Sequence, residues 1–305
     1  MAREYEFEAP MMGATLSVSI ISQSDQEAAS AFARMQDIAR AYEERFSRFR
    51  GGSELSELNR RGTLRVSPEF MEIIELGRRL YRQSHSAFNP LVDISRFGYD
   101  EDIAVVRGND RRRAAPALYD TAFETTRVNS EAQTVTLMPG QRLDVGGYLK
   151  GFVAERMARE AMGSGVIVNL GGDFYTRGKD AEGSAFQFVI DNPVTGNAIP
   201  FTYADGAVAT SGTYARHWTL HGTPMHHILR GDGTAPPETD IVSATVCAAH
   251  GADADAFATA AVVLGSEKGS ALLTELGLAY CLITAEGALR TSTGFPSHPS
   301  SSYAG

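Results

Sequence analysis

Three short stretches of this chain combine residue types able to hold a charged ligand. The first, Leu143-Asp144-Val145-Gly146-Gly147-Tyr148-Leu149-Lys150-Gly151, leads an acid and a glycine pair into a helical pattern. Glycines at such a junction let backbone N–H groups approach an anion at the positive end of a helix, and the Lys150 ammonium adds a point charge. The chemistry this suits is a grip on a diphosphate. A tight turn packed against its neighbour explains the residues equally well, because the spacing is neither a P-loop nor GxGxxG. The second stretch, Val168-Asn169-Leu170-Gly171-Gly172-Asp173, ends an apolar strand pattern with another glycine pair and an acid. It suits close backbone contact with a ligand, or a plain strand-end turn.

The third, Ala254-Asp255-Ala256-Phe257-Ala258-Thr259, is the most informative. Asp255 and Thr259 are four residues apart in a helical pattern, so a carboxylate and a hydroxyl share one face and can both reach a hard cation. An acid among alanines and valines needs a partner if it is buried. An exposed first helical turn would instead account for Asp253 and Asp255 through the helix dipole. Five of the seven histidines lie between His217 and His250: His217, His221, His226, His227 and His250. No HExxH or comparable spacing links them, so a zinc hydrolase is a distant option and surface or hairpin positions are expected. His217 and His221 flank Trp218 and Leu220 in a strand pattern that would put both on one face.

The rest of the 305-residue chain narrows the partners. A net charge of −9 argues against nucleic acid, whose binders present a basic face. The one basic cluster, Arg111-Arg112-Arg113, lies in a segment from Arg107 to Pro116 that reads as a solvated loop. Cys247 and Cys281 have no CxxC partner and sit in apolar runs, as small hydrophobes in buried strands. The N-terminus carries three acids in eight residues and no signal-peptide core, and nothing approaches the ~20 apolar residues of a membrane span. The expectation is a cytoplasmic protein.

These residues need elements to position them. Ala14 to Ile21 alternates as a strand, and Ser24 with Glu27 resembles a capping box opening a helix with Phe32, Met35, Ile38, Tyr42 and Phe46 on one stripe. A second helix starts at Ser67-Pro68 and runs towards His85, with Met71, Ile74 and Leu80 inward. Strands are expected around Thr134 to Met138, Val166 to Leu170, Ala185 to Asp191 and Ser243 to Ala249, and helices over Tyr148 to Met162, Ala252 to Leu264 and Glu267 to Leu276. A hairpin covers Ala279 to Thr291 and turns at Glu286-Gly287. The pattern is α+β, with residues 1–296 as a single domain and 297–305 as a mobile tail.

Six blocks of the chain, in order, resemble the ApbE family of FAD:protein FMN transferases. They are Met12-Gly13-Ala14-Thr15; Phe46-Ser47-Arg48-Phe49 with Ser53-Glu54-Leu55-Ser56-Glu57-Leu58-Asn59; Asp144 to Gly151; Asn169 to Asp173; Ala209-Thr210-Ser211-Gly212; and Ala254 to Thr259 before Leu264-Gly265. The resemblance implies a T-fold-like α+β architecture with mixed or antiparallel sheets and packed helices. It implies FAD as substrate in a cleft and Mg²⁺ beside its diphosphate, held by the main-chain carbonyl of Leu149 and the side chains of Asp255 and Thr259. Met12 and Phe49 should flank the flavin or its gate, where the family usually has tyrosine in place of Phe49. Lys150, Asp173 and the turns Gly146-Gly147 and Gly171-Gly172 should line the nucleotide, with Thr210 and Ser211 nearby.

The resemblance further implies attack by a Ser or Thr hydroxyl of an acceptor protein on the FMN-side phosphorus, with AMP leaving. Asp255 is the first candidate to take the hydroxyl proton and His227 the second. The chain departs from the family pattern in three places. A Phe-Asp-Pro-Thr-Val-Gly-Pro block is shortened to Phe88-Asn89-Pro90, Ser95-Arg96 replaces a Trp-Gly before Phe97, and His227-Ile228 runs into Leu229-Arg230-Gly231 without an Asp-Pro. Ser95, Arg96, Phe97, His227 and Ile228 are expected in the cofactor wall. An FAD pyrophosphatase and a non-catalytic FAD-binding protein are the alternatives.

Overall fold

The computed structural model describes residues 2–99, 101, 106, 110–111 and 119–296. The tail from Ser297 and most of the arginine loop, Arg112 and Arg113 included, lie outside the described residues.

Alternation of polar and apolar side chains makes a hairpin of β1 (Arg3–Met11) and β2 (Ala14–Ser22). Its two-residue connection, Met12-Gly13, has φ of 53° and 68°, the left-handed pair that a type I′ turn requires. Ser24 caps α1 (Asp25–Phe46) by accepting from the Glu27 amide at 3.3 Å. The reciprocal half of the capping box is replaced, because Glu27 Oε2 accepts from the Ser22 hydroxyl at 2.5 Å.

An eight-residue helix, α2 (Glu54–Arg61), follows, capped by Ser53 and closed by Gly62 at φ 73°. Sequence periodicity misses it because only Leu55 and Leu58 are buried on it. The helix expected from Ser67-Pro68 is therefore the third, α3 (Pro68–Gln83). After β3 (Thr63–Arg65), the two-residue β4 (Asp110–Arg111), β5 (Arg127–Asn129) and β6 (Thr134–Thr136), the chain enters α4 (Leu149–Glu160). β3, β6 and β5 form a small antiparallel sheet.

The remaining strands are β7 (Gly165–Leu170), β8 (Asp173–Gly178), β9 (Phe186–Asp191), β10 (Ala198–Tyr203), β11 (Gly206–Gly212), β12 (His217–Leu220), β13 (Thr223–His226), β14 (Ile241–Ala248), β15 (Ala279–Thr284) and β16 (Leu289–Thr291). One eight-stranded sheet runs β1-β2-β7-β8-β11-β14-β15-β16 with every ladder antiparallel. Helices cover one face. The β9–β10 hairpin covers the other, packing Phe186, Phe188 and Phe201 on Val208, Cys247 and Ile283. Cys247 and Cys281 are free and buried in adjacent strands, as small hydrophobes. His221 lies past the end of β12 at φ 50°, so it does not share a strand face with His217.

The long helix α5 (Gly251–Glu275) breaks at Gly265, φ 79° and ψ 172°, into the two helices the sequence suggests. Its first half is so rich in alanine that it approaches its neighbours closely. A Cβ on Gly251 would fall 1.9 Å from the Gly151 carbonyl oxygen, and a Cβ on Gly151 2.2 Å from the Gly251 carbonyl oxygen. The backbones of α4 and α5 touch there. Gly251→Ala is expected to cost about 1–3 kcal/mol of stability through overpacking, read as a lower denaturant midpoint. Gly51→Ala, which meets nothing within 4 Å, should leave the midpoint unchanged.

Candidate functional site

The first turns of α4 and α5 meet at that crossing, next to the turn that starts β8. Lys150 in α4 reaches Asp173, the first residue of β8, and its Nζ lies 3.9 Å from Asp255 Oδ2 in α5. Asp255 is 5% exposed, and its Oδ2 is buried with no hydrogen-bond partner among the described residues. Burial, then the Asp173 charge, pushes the Asp255 carboxyl up to about 7, while Lys150, the Gly151 amide and Arg216 pull it back. Burial opposes the Lys150 ammonium, but the two carboxylates outweigh it and hold its pKa above the usual lysine value.

Tight turns bring the backbone to this cluster. Gly171 has φ 67°, its amide donates to Thr15 O at 3.1 Å, and a Cβ there would strike Ala14 Cβ at 2.7 Å and reach within 3.8 Å of Lys150 Cδ. Gly172 has φ 99° and donates to Asn169 Oδ1 at 2.9 Å. Non-glycine residues at 171 would be strained as well as crowded.

One turn beyond Asp255, the Thr259 and Ser211 hydroxyls are 2.9 Å apart. Register explains why Ser211 joins the site: Asp173 pairs with Ala209 across β8 and β11, so Ser211, two residues on, leaves the same face. Thr210 leaves the other face and meets the Thr245 hydroxyl at 2.9 Å. The structure brings Ser211 to Thr259 and turns Thr210 away.

His227 follows β13. Its amide donates to Arg216 O at 3.2 Å, and its Nδ1 is buried without a partner among the described residues. Burial first, then the charges of Arg216, His226 and Lys150, push the imidazole down to about 3, so it is neutral at physiological pH. Ile228 is buried in the main core. Arg216 escapes sequence reading, because it matters only once the hairpin register sets it across from His227.

A second group forms around Arg48. Its guanidinium stacks 4.4 Å from the Phe49 ring and 4.8 Å from the Tyr99 ring, and lies 3.5 Å from Asp144. Asp144 Oδ1 in turn accepts from the Gly146 amide at 2.9 Å. Phe49 itself is 53% exposed. Gly147 packs against Phe88, which a Cβ would approach to 3.0 Å. Met12 donates its amide to Glu43 at 3.2 Å, and Glu43 pairs with Arg50 at 3.3 Å, so Met12 and the segment holding Phe49 share one anchor.

The Ser95-Arg96-Phe97 segment is a short 3-10 turn capped by Asp93. Phe97 is buried with Tyr99, Trp218 and Met225, and its carbonyl accepts from Trp218 Nε1 at 2.8 Å. Arg96 is held by Asp93 at 3.1 Å and by the Gly140 carbonyl, over the Tyr119 ring at 3.8 Å. These contacts make the segment a brace for the hairpin that carries Trp218.

Among the described residues no three His, Cys, Asp or Glu side chains converge on a metal position. Hard oxygen donors are present nonetheless: the unpartnered Asp255 Oδ2, the Thr259 hydroxyl one turn on, and the Leu149 carbonyl at the start of α4. They fit a cation whose shell a phosphate and water complete. A cavity of about 640 Å³ opens elsewhere, between Tyr81, Asn89, Thr121, Arg230 and Leu264, and none of Lys150, Asp173 or Asp255 lines it.

Two measurements test these assignments. Mg²⁺ well above its dissociation constant should raise the thermal midpoint of the protein by about 2 °C or more and leave Asp255→Asn unmoved; equal shifts in both would remove Asp255 from the cation site. His227, whose folded pKa lies below its unfolded value, binds no proton as pH falls through the usual histidine range, so stability declines below about pH 6.5. An NMR titration of the His227 imidazole should therefore be flat from pH 8 to about 5, and a midpoint near 6.5 would contradict its burial.

The chain matches the ApbE family over residues 12–282. It is 27% identical over 292 residues to an FAD:protein FMN transferase of Klebsiella pneumoniae (strain 342), covering 90% of this chain and 83% of that protein. It is 29% identical over 322 residues to one of Treponema pallidum (strain Nichols), covering 96% and 88%. Its fold superposes on the flavin transferase ApbE from Vibrio cholerae with a TM-score of 0.82 at 21% identity, covering 97% of this chain and 99% of that one. The ApbE protein from Thermotoga maritima gives 0.81 at 22% identity, covering 95% and 97%. With the family pattern extending over most of its length and the α+β architecture in common, this chain belongs to the ApbE family.

Proposed function

We propose that the protein transfers the FMN half of FAD to a serine or threonine hydroxyl of an acceptor protein, with AMP leaving and Mg²⁺ as cofactor. The observation that carries this reading is the buried, unpartnered Asp255 Oδ2 beside Lys150 and one helical turn from Thr259. A buried carboxylate oxygen without a hydrogen bond is costly unless a ligand completes it. The names of the Klebsiella and Treponema relatives supply the reaction class.

The acceptor oxygen would bond to the FMN-side phosphorus as the bond to the AMP oxygen breaks, the electron pair leaving with AMP. Negative charge then builds on the phosphoryl oxygens and on the leaving phosphate. Lys150, on the first turn of α4, offers a fixed positive charge and the helix terminus adds to it. Asp255 is the first candidate to receive the hydroxyl proton, because its carboxylate is buried at the centre of the cluster with one oxygen unpartnered among the described residues. His227, neutral in the free protein, offers a hydrogen bond before it offers a proton sink. Mg²⁺ held by Leu149 O, Asp255 and Thr259 would neutralise charge on the diphosphate.

Incubation with FAD, Mg²⁺ and a Ser/Thr-containing acceptor should leave flavin on the acceptor after denaturation. Asp255→Ala should lower the rate about 100-fold or more. Free FMN with AMP would identify a pyrophosphatase instead, and intact bound FAD a carrier. Turnover indifferent to chelation would remove the cation from the mechanism.

A further inference from the structure

Arg216 is a cation tied through its backbone to His227 that no role above uses. It ends the loop between β11 and β12. His217 pairs with His226 in the hairpin, and the contact continues one step outward, where Arg216 O accepts from the His227 amide at 3.2 Å. Residues directly opposed in an antiparallel pair send their side chains from one face. The Arg216 guanidinium and the His227 imidazole thus leave the hairpin on the same side. The positive charge of Arg216 is close enough to act on Lys150 and Asp255 as well as on His227.

Arg216 is half-buried, yet among the described residues it forms no salt bridge. Lys150 takes both carboxylates of the site. A half-buried guanidinium without an ion-pair partner presents a planar fork of donors suited to phosphoryl oxygens. The buried His227 Nδ1, on the residue that Arg216 O holds, is also without a partner among the described residues, a polar atom that a ligand could complete. The charge balance agrees. Lys150 and Arg216 offset Asp173 and Asp255, so a bound divalent cation leaves the two positive charges that a dinucleotide diphosphate neutralises.

We infer that Arg216 is a substrate-binding residue whose guanidinium donates to the diphosphate oxygens of FAD, across from Lys150. This rests on the FAD reading above. The backbone tie to His227 gives the guanidinium a fixed origin, so the hairpin both supplies the imidazole and aims the cation. Burial, reinforced by the Arg216 charge, keeps His227 uncharged in the free protein, which leaves the imidazole able to accept a hydrogen bond from an acceptor hydroxyl.

The test is equilibrium binding of FAD with Mg²⁺ to the wild-type protein, Arg216→Lys and Arg216→Gln, at several salt concentrations, with thermal midpoints recorded for each. Arg216→Gln should weaken FAD binding about 10- to 100-fold, with Arg216→Lys between the two. The dependence of affinity on salt should also be shallower in Arg216→Gln, because one charge contact to phosphate is gone. A purely structural effect would lower affinity without altering that slope, and would overturn the inference. So would Arg216→Gln binding FAD within twofold of wild type. Wild-type protein that binds FAD with this Arg216 dependence but transfers nothing would sink the transferase reading alone. Wild-type protein that does not bind FAD would sink both.

Discussion

The backbone contact between Gly151 and Gly251 is the constraint on which the site depends. Two helices whose carbonyl oxygens lie where the other's Cβ would be can cross only as glycines. That approach sets the first turn of α5 against the first turn of α4, so the Asp255 carboxylate lies within reach of the Gly151 amide and the Lys150 ammonium. It also converges two positive helix ends. Asp255 and Asp173 relieve part of that field, and an anionic ligand relieves more. The alanines at 254, 256, 258, 260 and 261 follow from the same demand, since a bulkier α5 could not lie so close to α4 and the sheet.

Burial then sets the chemistry of Asp255 and His227. One low-dielectric pocket pushes the Asp255 carboxyl up and the His227 imidazole down, while two carboxylates keep Lys150 charged against that same burial. Such a set is poised for a highly charged ligand. Donors held in place by the fold have already met the cost of their dehydration, which favours such a ligand. The left-handed turn at Gly171 brings main chain where a Cβ would strike Ala14.

What could be read from the chain follows the reach of each interaction. Asp255 and Thr259 are legible because helical periodicity is local, and the break at Gly265 because glycine punctuates an apolar run. β1 is different: Glu4, Glu6 and Glu8 alternate with Tyr5, Phe7 and Ala9, a period of two that is hidden when the segment is judged by its charge. Thr210-Ser211 looks like one hydroxyl-bearing unit, but strand alternation sends the two side chains to opposite faces. Arg216 was illegible because its meaning lies in a cross-strand register, and no local pattern encodes which residue stands opposite His227.

The segments where the chain departs from its family's pattern are held by bonds of their own. Asn89, in the shortened block, donates its amide to Thr121 O at 2.9 Å and to Gly231 O at 2.7 Å, and accepts from the Leu91 amide at 3.0 Å. One side chain therefore ties three stretches together. Arg230-Gly231 stands where the family carries its Asp-Pro, and a Cβ on Gly231 would fall 1.9 Å from Ser86 O. Glycine at 231 and asparagine at 89 are thus two halves of one contact: the missing side chain lets the backbone come close enough for the Asn89 amide to bind it. The segment that follows β13 and carries His227 keeps its position by this means, in a wall built from different residues.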